Sequence, residues 1–571
     1  WLFPVKGALD PNDVAICIGE RLLRHAPNEE IAAHVTRLRN LQKSLAESTD
    51  VALRIPYFCS GCPHNSSTVV PEGSRAYAGI GCHFMSQWMD RSTSGYTQMG
   101  GEGANWIGEA PFSNRTHVFQ NLGDGTYNHS GILALRAAIA AGTTMTYKIL
   151  FNDAVAMTGG QSNEGGLTVP QIARQVAAEG AQRVVVVSDE PWKYPKDTEW
   201  PKGLTIHHRD ELQQVQRELS AVPGVTVLIY DQTCAAEKRR RRKRGKMPDP
   251  AKRAFINPAV CEGCGDCSVQ SNCVSIEPLE TDFGRKRRID QSSCNKDFSC
   301  INGFCPSFVT LSGTQPRRPT ARELPADWFA DMPEPPRPAR SECAVLVTGI
   351  GGTGVVTIGA VLAMAAHIDS RQVSVFDMTG LAQKGGAVFS HIKIAPGAGL
   401  DQAARIGPLG ADLLLGGDLL VTAGADALRC IAPGTTQVML NSHLTPPGGF
   451  QLNPDARFDA PLLEANIAAV AGADCVRSVD ATAVSVSLLG DAVGSNMMLV
   501  GLALQRGLLP VSLQAVRSAL RMNGAAVELN LRALDIGRLL AVAPQRVEEW
   551  MARQTASARD ATEPPQAGLQ A

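Results

Sequence analysis

Net charge is almost missing from this sequence. Its 54 Lys and Arg are matched by 55 Asp and Glu, leaving −1 at neutral pH, so no overall field draws the chain onto DNA or an acidic membrane. A secretory signal is missing too: the first residue is Trp1, not an initiator Met, and the opening apolar residues are broken by Pro4 and Lys6. That reading makes the chain cytoplasmic and truncated at its start. There is no internal repeat, and no apolar run of membrane length goes uninterrupted. The nearest candidate, Ala344 to Ala366, carries Gly349, Gly351, Gly352 and Gly354 after a short β-branched run, which reads as buried strand, tight turn and helix start.

What is present fits several globular domains. At roughly 150 residues per domain, 571 residues make three or four. Apolar residues at 44% and charged ones at 19% are ordinary values, and 54 Gly with 35 Pro point to many turns rather than long bundles. Fifteen cysteines would be a disulfide framework in a short secreted chain; clustered in CxxC units here, they suggest metal or iron–sulfur ligation.

The organisation reads as α/β. Residues 1–50 are a linker and a charged surface helix. From 51 to 237, apolar runs such as Tyr147–Phe151, Val184–Val187 and Val225–Tyr230 alternate with helical stretches such as Gly131–Ala141, which is βαβ patterning and implies a parallel sheet covered by helices. A basic linker, 238–253, contains the unbroken run Lys238 to Arg244; with no aromatics interleaved, it reads as a solvated face or a docking patch for an acidic carrier rather than a nucleic-acid tract. A cysteine-rich segment covers 254–312, a Pro-rich linker 313–340, a second α/β domain 341–545 and a disordered tail 546–571.

In the cysteine-rich segment, Cys261-x2-Cys264-x2-Cys267 sets three thiolates on one tight loop, and Cys305-Pro306 supplies the ending that closes a ferredoxin cluster. The second run, Cys294-x2-Asp297-x2-Cys300, has a carboxylate at its middle position, and Cys273 remains from the first run. The expectation is one 4Fe-4S cluster on Cys261, Cys264, Cys267 and Cys305 and another on Cys273, Cys294 and Cys300. Asp297 is either its last ligand or, binding iron less softly, leaves a 3Fe-4S cluster. Structural zinc is the alternative for paired CxxC units.

Upstream, Gly123-Asp124-Gly125 follows an apolar stretch and opens a helix, at the end of a strand where α/β sheets bind ligands. Asn152 comes after the next strand. A carboxylate and an amide oxygen on neighbouring strand ends can hold Mg²⁺ with the two phosphates of a diphosphate. This pairing resembles the thiamine diphosphate signature, in which the backbone carbonyl of the residue here numbered Ala154 also binds the metal. Thr158-Gly159-Gly160-Gln161 resembles the TGGQ of 2-oxoacid:ferredoxin oxidoreductases, with Met157 before it favouring a larger apolar substrate. Cys59, Cys62 and Cys82, with Cys234 after a later strand, resemble the ligands of the cluster nearest thiamine in those enzymes. His64 and His83 beside them receive no role. The glycine loop at 349–354 is a weak dinucleotide fingerprint; with Gln383-Lys384-Gly385-Gly386 it resembles the family's gamma domain, which helps position coenzyme A.

Domain order and motifs together, over about residues 50 to 545, resemble a fused indolepyruvate ferredoxin oxidoreductase. The resemblance implies an aryl 2-oxoacid, coenzyme A as co-substrate and ferredoxin, with thiamine diphosphate, Mg²⁺ and three 4Fe-4S clusters, giving an acyl-CoA, CO₂ and reduced ferredoxin. It implies a homo-oligomer, and a pyrimidine-binding domain or chain supplied from upstream of Trp1, without which this chain is inactive. A pyruvate or branched-chain oxidoreductase shares every motif; a non-catalytic electron-transfer subunit would need the cysteines alone.

Overall fold

The computed structural model describes residues 11–47, 54–163, 165–314, 324–325, 327–336, 341–379, 385–397 and 403–560. Two helices, Pro11–His25 and Glu29–Glu47, form an N-terminal hairpin where one helix is expected. The first sheet has seven strands: β1 (Ala76–Ala78), β2 (Thr93–Tyr96), β3 (Phe119–Gly123), β4 (Met145–Phe151), β5 (Arg183–Ser188), β6 (Thr205–His208) and β7 (Val225–Asp231). They lie in the order β2-β1-β3-β4-β7-β5-β6, all parallel. β7 is buried along its whole length and β4 up to its last residue, as a parallel sheet covered on both faces requires. Leu135, Ala138, Ile172 and Val176 cover one face; Leu212, Val215 and Leu219, from the helix Leu212–Ser220, cover the other.

The cysteine-rich segment is built on two antiparallel pairs. β8 (Lys252–Ile256) pairs with β11 (Phe308–Ser312), and β9 (Ile276–Thr281) pairs with β10 (Gly284–Ile289). The C-terminal sheet holds β12 (Cys343–Ile350), β13 (Arg371–Met378), β14 (Ala387–Pro396), β15 (Leu413–Gly416), β16 (Gln437–Asn441) and β17 (Val476–Val479), in the order β13-β14-β12-β15-β16-β17. β14 runs antiparallel to both neighbours; the other pairings are parallel. Residues 344–366 resolve into β12, a glycine turn and the helix Val355–Ile368, and among the described residues no helix is long and apolar enough to cross a membrane. Part of the expected tail is helical instead. Pro544–Asp560 is a helix whose Val547 is buried and whose Trp550 stands edge-on to Trp328, centroids 5.4 Å apart. The apolar spacing of those two residues was obscured by the surrounding Ala, Arg and Gln.

The units are docked through buried polar contacts. Arg54, ahead of the first sheet, gives Nε and Nη2 to the Asp418 carboxylate at 3.0 and 2.8 Å, and Nη2 also reaches the Thr445 carbonyl. Both side chains of the pair are at most 4% exposed.

Candidate coenzyme and cluster sites

Three adjacent strands deliver three functional positions to one edge of the sheet. Asp124 follows β3, Asn152 follows β4 and Cys234 lies just beyond β7. Asp124 is buried; its Oδ1 accepts the Gly125 N–H at 3.0 Å, and its Oδ2 accepts those of Asn152 and Asp153 at 3.1 and 3.0 Å. Burial still outweighs those bonds and pushes its carboxyl up to about 6. The buried Asn152 Oδ1 has no partner. A desolvated carboxylate beside an orphaned amide oxygen is a donor set short of a cation, and Mg²⁺ fits its all-oxygen chemistry. Ala154 is buried on the same loop.

The Thr158–Gln161 segment closes on itself. Thr158 Oγ1 donates to Gln161 Oε1 at 2.7 Å, Gln161 Nε2 donates to the Thr158 carbonyl at 2.8 Å, and Gly160 N donates back to Val155 O at 3.0 Å. Gly159 and Gly160 have φ of 121° and 84°, and a Cβ on Gly160 would push aside the ends of Arg240 and Glu237, so a side chain there would be strained.

Cys59, Cys62, Cys82 and Cys234 line one cavity, and Asn152, Ala156 and Met157 line it with them. Burial, followed by the neighbouring Cys59, Cys82 and Cys234, pushes the Cys62 thiol well up. Four thiol groups converging on one space are the donor type that an iron–sulfur cluster takes, once deprotonated. His64 and His83 stand edge to face at 5.6 Å beside these cysteines. Burial, then His64, holds the His83 imidazole well below its usual range.

The two strand pairs of the cysteine-rich segment gather two further groups. Cys261 N donates to Asn257 O at 3.0 Å and Asn257 N to Ser307 O at 2.8 Å, so the ends of β8 and β11 bring the Cys261 loop toward Cys305. Burial lifts the Cys267 thiol to about 11, with Cys261 and Cys264 adding to the rise. At the base of the β9–β10 hairpin, Ile276 N bonds Cys273 O and Cys294 N bonds Asp290 O, each at 3.0 Å. Burial, then Cys273 and Cys294, raises Cys300. Among the described residues, no three His, Cys, Asp or Glu side chains meet as a single bound ion requires; the Cys59, Cys62, Cys82 and Cys234 group surrounds a space instead.

Asp297 is differently engaged from what the motif suggests. Its Oδ1 accepts from Arg209 Nη1 at 2.5 Å and Gln232 Nε2 at 2.8 Å, its carbonyl accepts from Arg209 Nη2, and Oδ2 faces the Ser299 N–H at 3.4 Å. The Cys59–Cys62 loop presses on the same spot: a Cβ on Gly61, whose φ is 62°, would stand 2.9 Å from Asp297 Cβ. Ser60 Oγ lies 3.4 Å from Cys273 Sγ, and Asn295 Nδ2 donates to Ser60 O at 2.8 Å. Sequence reasoning missed Ser60, Arg209 and Gln232, because only the fold brings them to the cysteines.

The basic run is only partly a free face: it lies on the helix Ala235–Lys243 with Arg244 as its C-cap, and Lys243 and Arg244 are exposed while Lys238 to Arg242 are engaged. Lys238 pairs with Asp189 at 2.6 Å and Arg241 with Asp153 at 2.8 Å; Arg239 donates to the Ser292 and Ser293 carbonyls, Arg240 bonds Glu237, and Arg242 reaches Asn295 O at 2.8 Å. In the C-terminal domain the glycine loop joins β12 to its helix, and Gly351 N donates to Gly386 O at 2.9 Å. Gln383 and Lys384 lie outside the described residues.

Comparison with known proteins gives two family matches: the thiamine pyrophosphate enzyme C-terminal TPP-binding domain over residues 79–229 and the pyruvate ferredoxin/flavodoxin oxidoreductase domain over 344–540. The indolepyruvate oxidoreductase subunit IorA of Thermococcus kodakarensis is 25% identical over 282 residues, 40% of this chain and 41% of that one. Subunit IorB of Methanothermobacter thermautotrophicus is 27% identical over 198 residues, 34% of this chain and 94% of that one. The chain thus spans about two fifths of the IorA subunits it matches. Among solved structures, pyruvate oxidoreductase subunit PORC of Thermotoga maritima aligns with 35% of this chain and 96% of its own, at 18% identity and TM-score 0.26.

Proposed function

From the premise that this chain belongs to the indolepyruvate and 2-oxoacid ferredoxin oxidoreductase family, we propose that it carries the thiamine, electron-transfer and gamma portions of an enzyme that oxidatively decarboxylates an aryl 2-oxoacid with coenzyme A and ferredoxin. The observation that carries this reading is the single cavity lined by Asn152, Met157 and four cysteines. In this reading the loop that would hold the metal lies next to the cysteines that would hold the first electron acceptor. Asp124, Asn152 and the Ala154 carbonyl would hold Mg²⁺, and the Gly123–Gly125 turn would face the diphosphate. When bound, thiamine diphosphate supplies the electron sink for decarboxylation. Met157 offers an apolar wall suited to an aromatic side chain.

Electrons would leave by three steps, and the loop contacts support an order. The cluster on Cys59, Cys62, Cys82 and Cys234 abuts the group of Cys273, Cys294 and Cys300 through Ser60, Gly61 and Asn295. The group of Cys261, Cys264, Cys267 and Cys305 comes last; Cys264 is exposed, which suits delivery to ferredoxin. Asp297, occupied by Arg209 and Gln232, acts in this reading as a clamp and leaves the middle cluster to three cysteines. One chain matching both IorA and IorB supports fusion of what those organisms keep as subunits.

The test is coenzyme A-dependent viologen reduction, without oxygen, by the chain assembled with a pyrimidine-binding region or chain. Indolepyruvate or phenylpyruvate should outrun pyruvate and a branched 2-oxoacid. Preference for pyruvate or branched acids would overturn the aryl assignment. No reduction by a cluster-replete, coenzyme-bound assembly would overturn the activity.

A further inference from the structure

Arg287, in the middle of β10, is 1% exposed, the most deeply buried arginine among the described residues. Its alternation partner Arg285 reaches Glu280 at 2.6 Å and the Ala456 carbonyl at 2.6 Å, and Arg288 pairs with Glu277 at 3.0 Å. Arg287 has no such carboxylate. Its Nη2 donates to the Pro454 carbonyl at 3.3 Å, its guanidinium lies 4.3 Å above the Phe450 ring, and its Nε and Nη1 are buried without any partner. A guanidinium stripped of water and left with unbonded donors is strongly disfavoured unless an anion completes it. The titratable groups facing it are, in order of influence, the thiols of Cys267 and Cys261, the like-charged Arg285 and the Asp455 carboxylate, which makes no ion pair with it; a Cβ on Gly265, in the cysteine loop, would stand 3.8 Å from Arg287 Nη2, and after burial Arg287 is the largest influence on Cys267.

The C-terminal domain seals this contact. Its 447–456 segment brings Phe450 and Pro454 onto Arg287, and Gln451 Nε2 donates to Ile276 O at 2.7 Å. Pro454 also presses on the cysteine loop: a Cβ on Gly265, whose φ is 83°, would meet Pro454 Cβ at 3.2 Å. Water is thereby kept from the side of the loop where Arg287 sits, and its charge acts at low local dielectric.

We propose that Arg287 is the counter-charge of the cluster held by Cys261, Cys264, Cys267 and Cys305, donating from Nε and Nη1 toward its sulfurs and raising its reduction potential above that of its neighbours. This rests on the iron–sulfur reading given above. Reduction adds one negative charge to the cluster, carried by an electron from the adjacent reduced cluster, which is oxidised in turn; no proton need move. A fixed positive charge favours the more negative state, so the outermost cluster becomes the electron sink, and hydrogen bonds to sulfur act in the same direction. Arg287 is a positioning and tuning residue, and the contact makes the C-terminal domain part of the electron path.

The experiment is a potentiometric titration followed by electron paramagnetic resonance on the full chain, purified without oxygen and replete in iron. Arg287→Gln should lower the potential of one cluster alone, with at least a tenfold loss in its one-electron reduction constant, about 59 mV. Arg287→Lys should recover part of that loss. Unchanged potentials in Arg287→Gln at full iron content overturn the proposal. If Arg287→Gln fails to fold, wild-type protein made with nitrogen-15 arginine answers instead: the reduced cluster should show a hyperfine coupling from labelled arginine that Arg287→Lys lacks, and its absence in wild type overturns the proposal. A Cys264→Ala chain that keeps its full iron content would instead refute the cluster reading itself.

Discussion

Lys148 is a buried amine whose consequence for stability depends on pH. It sits mid-strand in β4, fully inaccessible, with Nζ 3.3 Å from the Val69 carbonyl and 5.7 Å from the Phe119 centroid. Burial, with repulsion from Arg91 second, lowers its ammonium to about 7 from the ordinary 10.5. Between those values the unfolded chain holds a proton that the folded chain has lost. Stability contributed by this site is therefore lowest at and below about pH 7 and rises with pH until 10.5. At about 1.36 kcal/mol per pH unit, the gap amounts to at most about 5 kcal/mol. Lys148→Met keeps the length and the apolar packing and removes the charge. The lost hydrogen bond costs about 1 kcal/mol, because Val69 O keeps the Gln216 Nε2 donor at 3.1 Å. The variant should be up to about 4 kcal/mol more stable at pH 7. Its lead should shrink by about 2 kcal/mol between pH 7 and 9. Urea midpoints of both proteins at pH 7, 8 and 9 measure this, read on the transition of the seven-stranded domain. Parallel pH curves for the two would refute the reasoning.

Asp124→Ala removes the acceptor of three backbone N–H groups, that of Asn152 among them; Mg²⁺-dependent binding of thiamine diphosphate should fall below detection by calorimetry, while iron content is unchanged. Arg54→Met leaves Asp418 charged and buried, which should cost about 3–5 kcal/mol and speed proteolysis of the 442–456 segment that Arg54 holds through Thr445. Asp297→Asn should weaken the grip of Arg209 by about 3 kcal/mol, lowering the melting temperature, yet leave the resonance spectrum of the middle cluster unaltered; loss of that cluster would make Asp297 a ligand after all.

The parts of the site legible in the sequence are those whose chemistry is local. Gly123-Asp124-Gly125 could be placed at a strand end because an apolar run precedes it, and Asn152 because the next run does the same. The α/β character of both large domains followed from alternating runs such as Val184–Val187, now the interior of β5. What stayed hidden depends on partners far away in the chain. Lys238 to Arg244 looks like an open basic face until Asp189, Asp153 and the carbonyls of Ser292, Ser293 and Asn295 arrive around it. Asp297 sits where a ligand would in the CxxDxxC spacing, but Arg209, 88 residues earlier, takes its carboxylate. No periodicity announces that a strand arginine such as Arg287 points inward.

Several part-buried polar contacts between units fall beside the cysteine loops, and this placement has a physical reason. Ser60 with Asn295, Arg209 with Asp297, Arg242 with Asn295 and Arg285 with Ala456 all join different parts of the chain within a few residues of a cysteine group. Hydrogen bonds and ion pairs are directional, so they fix the relative position of two loops more tightly than apolar contact alone. Electron transfer between clusters depends on that spacing, and cluster potential depends on the charges held around it. A docking surface built chiefly of apolar groups could supply affinity between the units; it could not hold the Cys59–Cys62 loop against Asp297 with room for a glycine and nothing larger. On the proposed reading, the clamp residues would therefore carry a share of the electron transfer without touching a substrate.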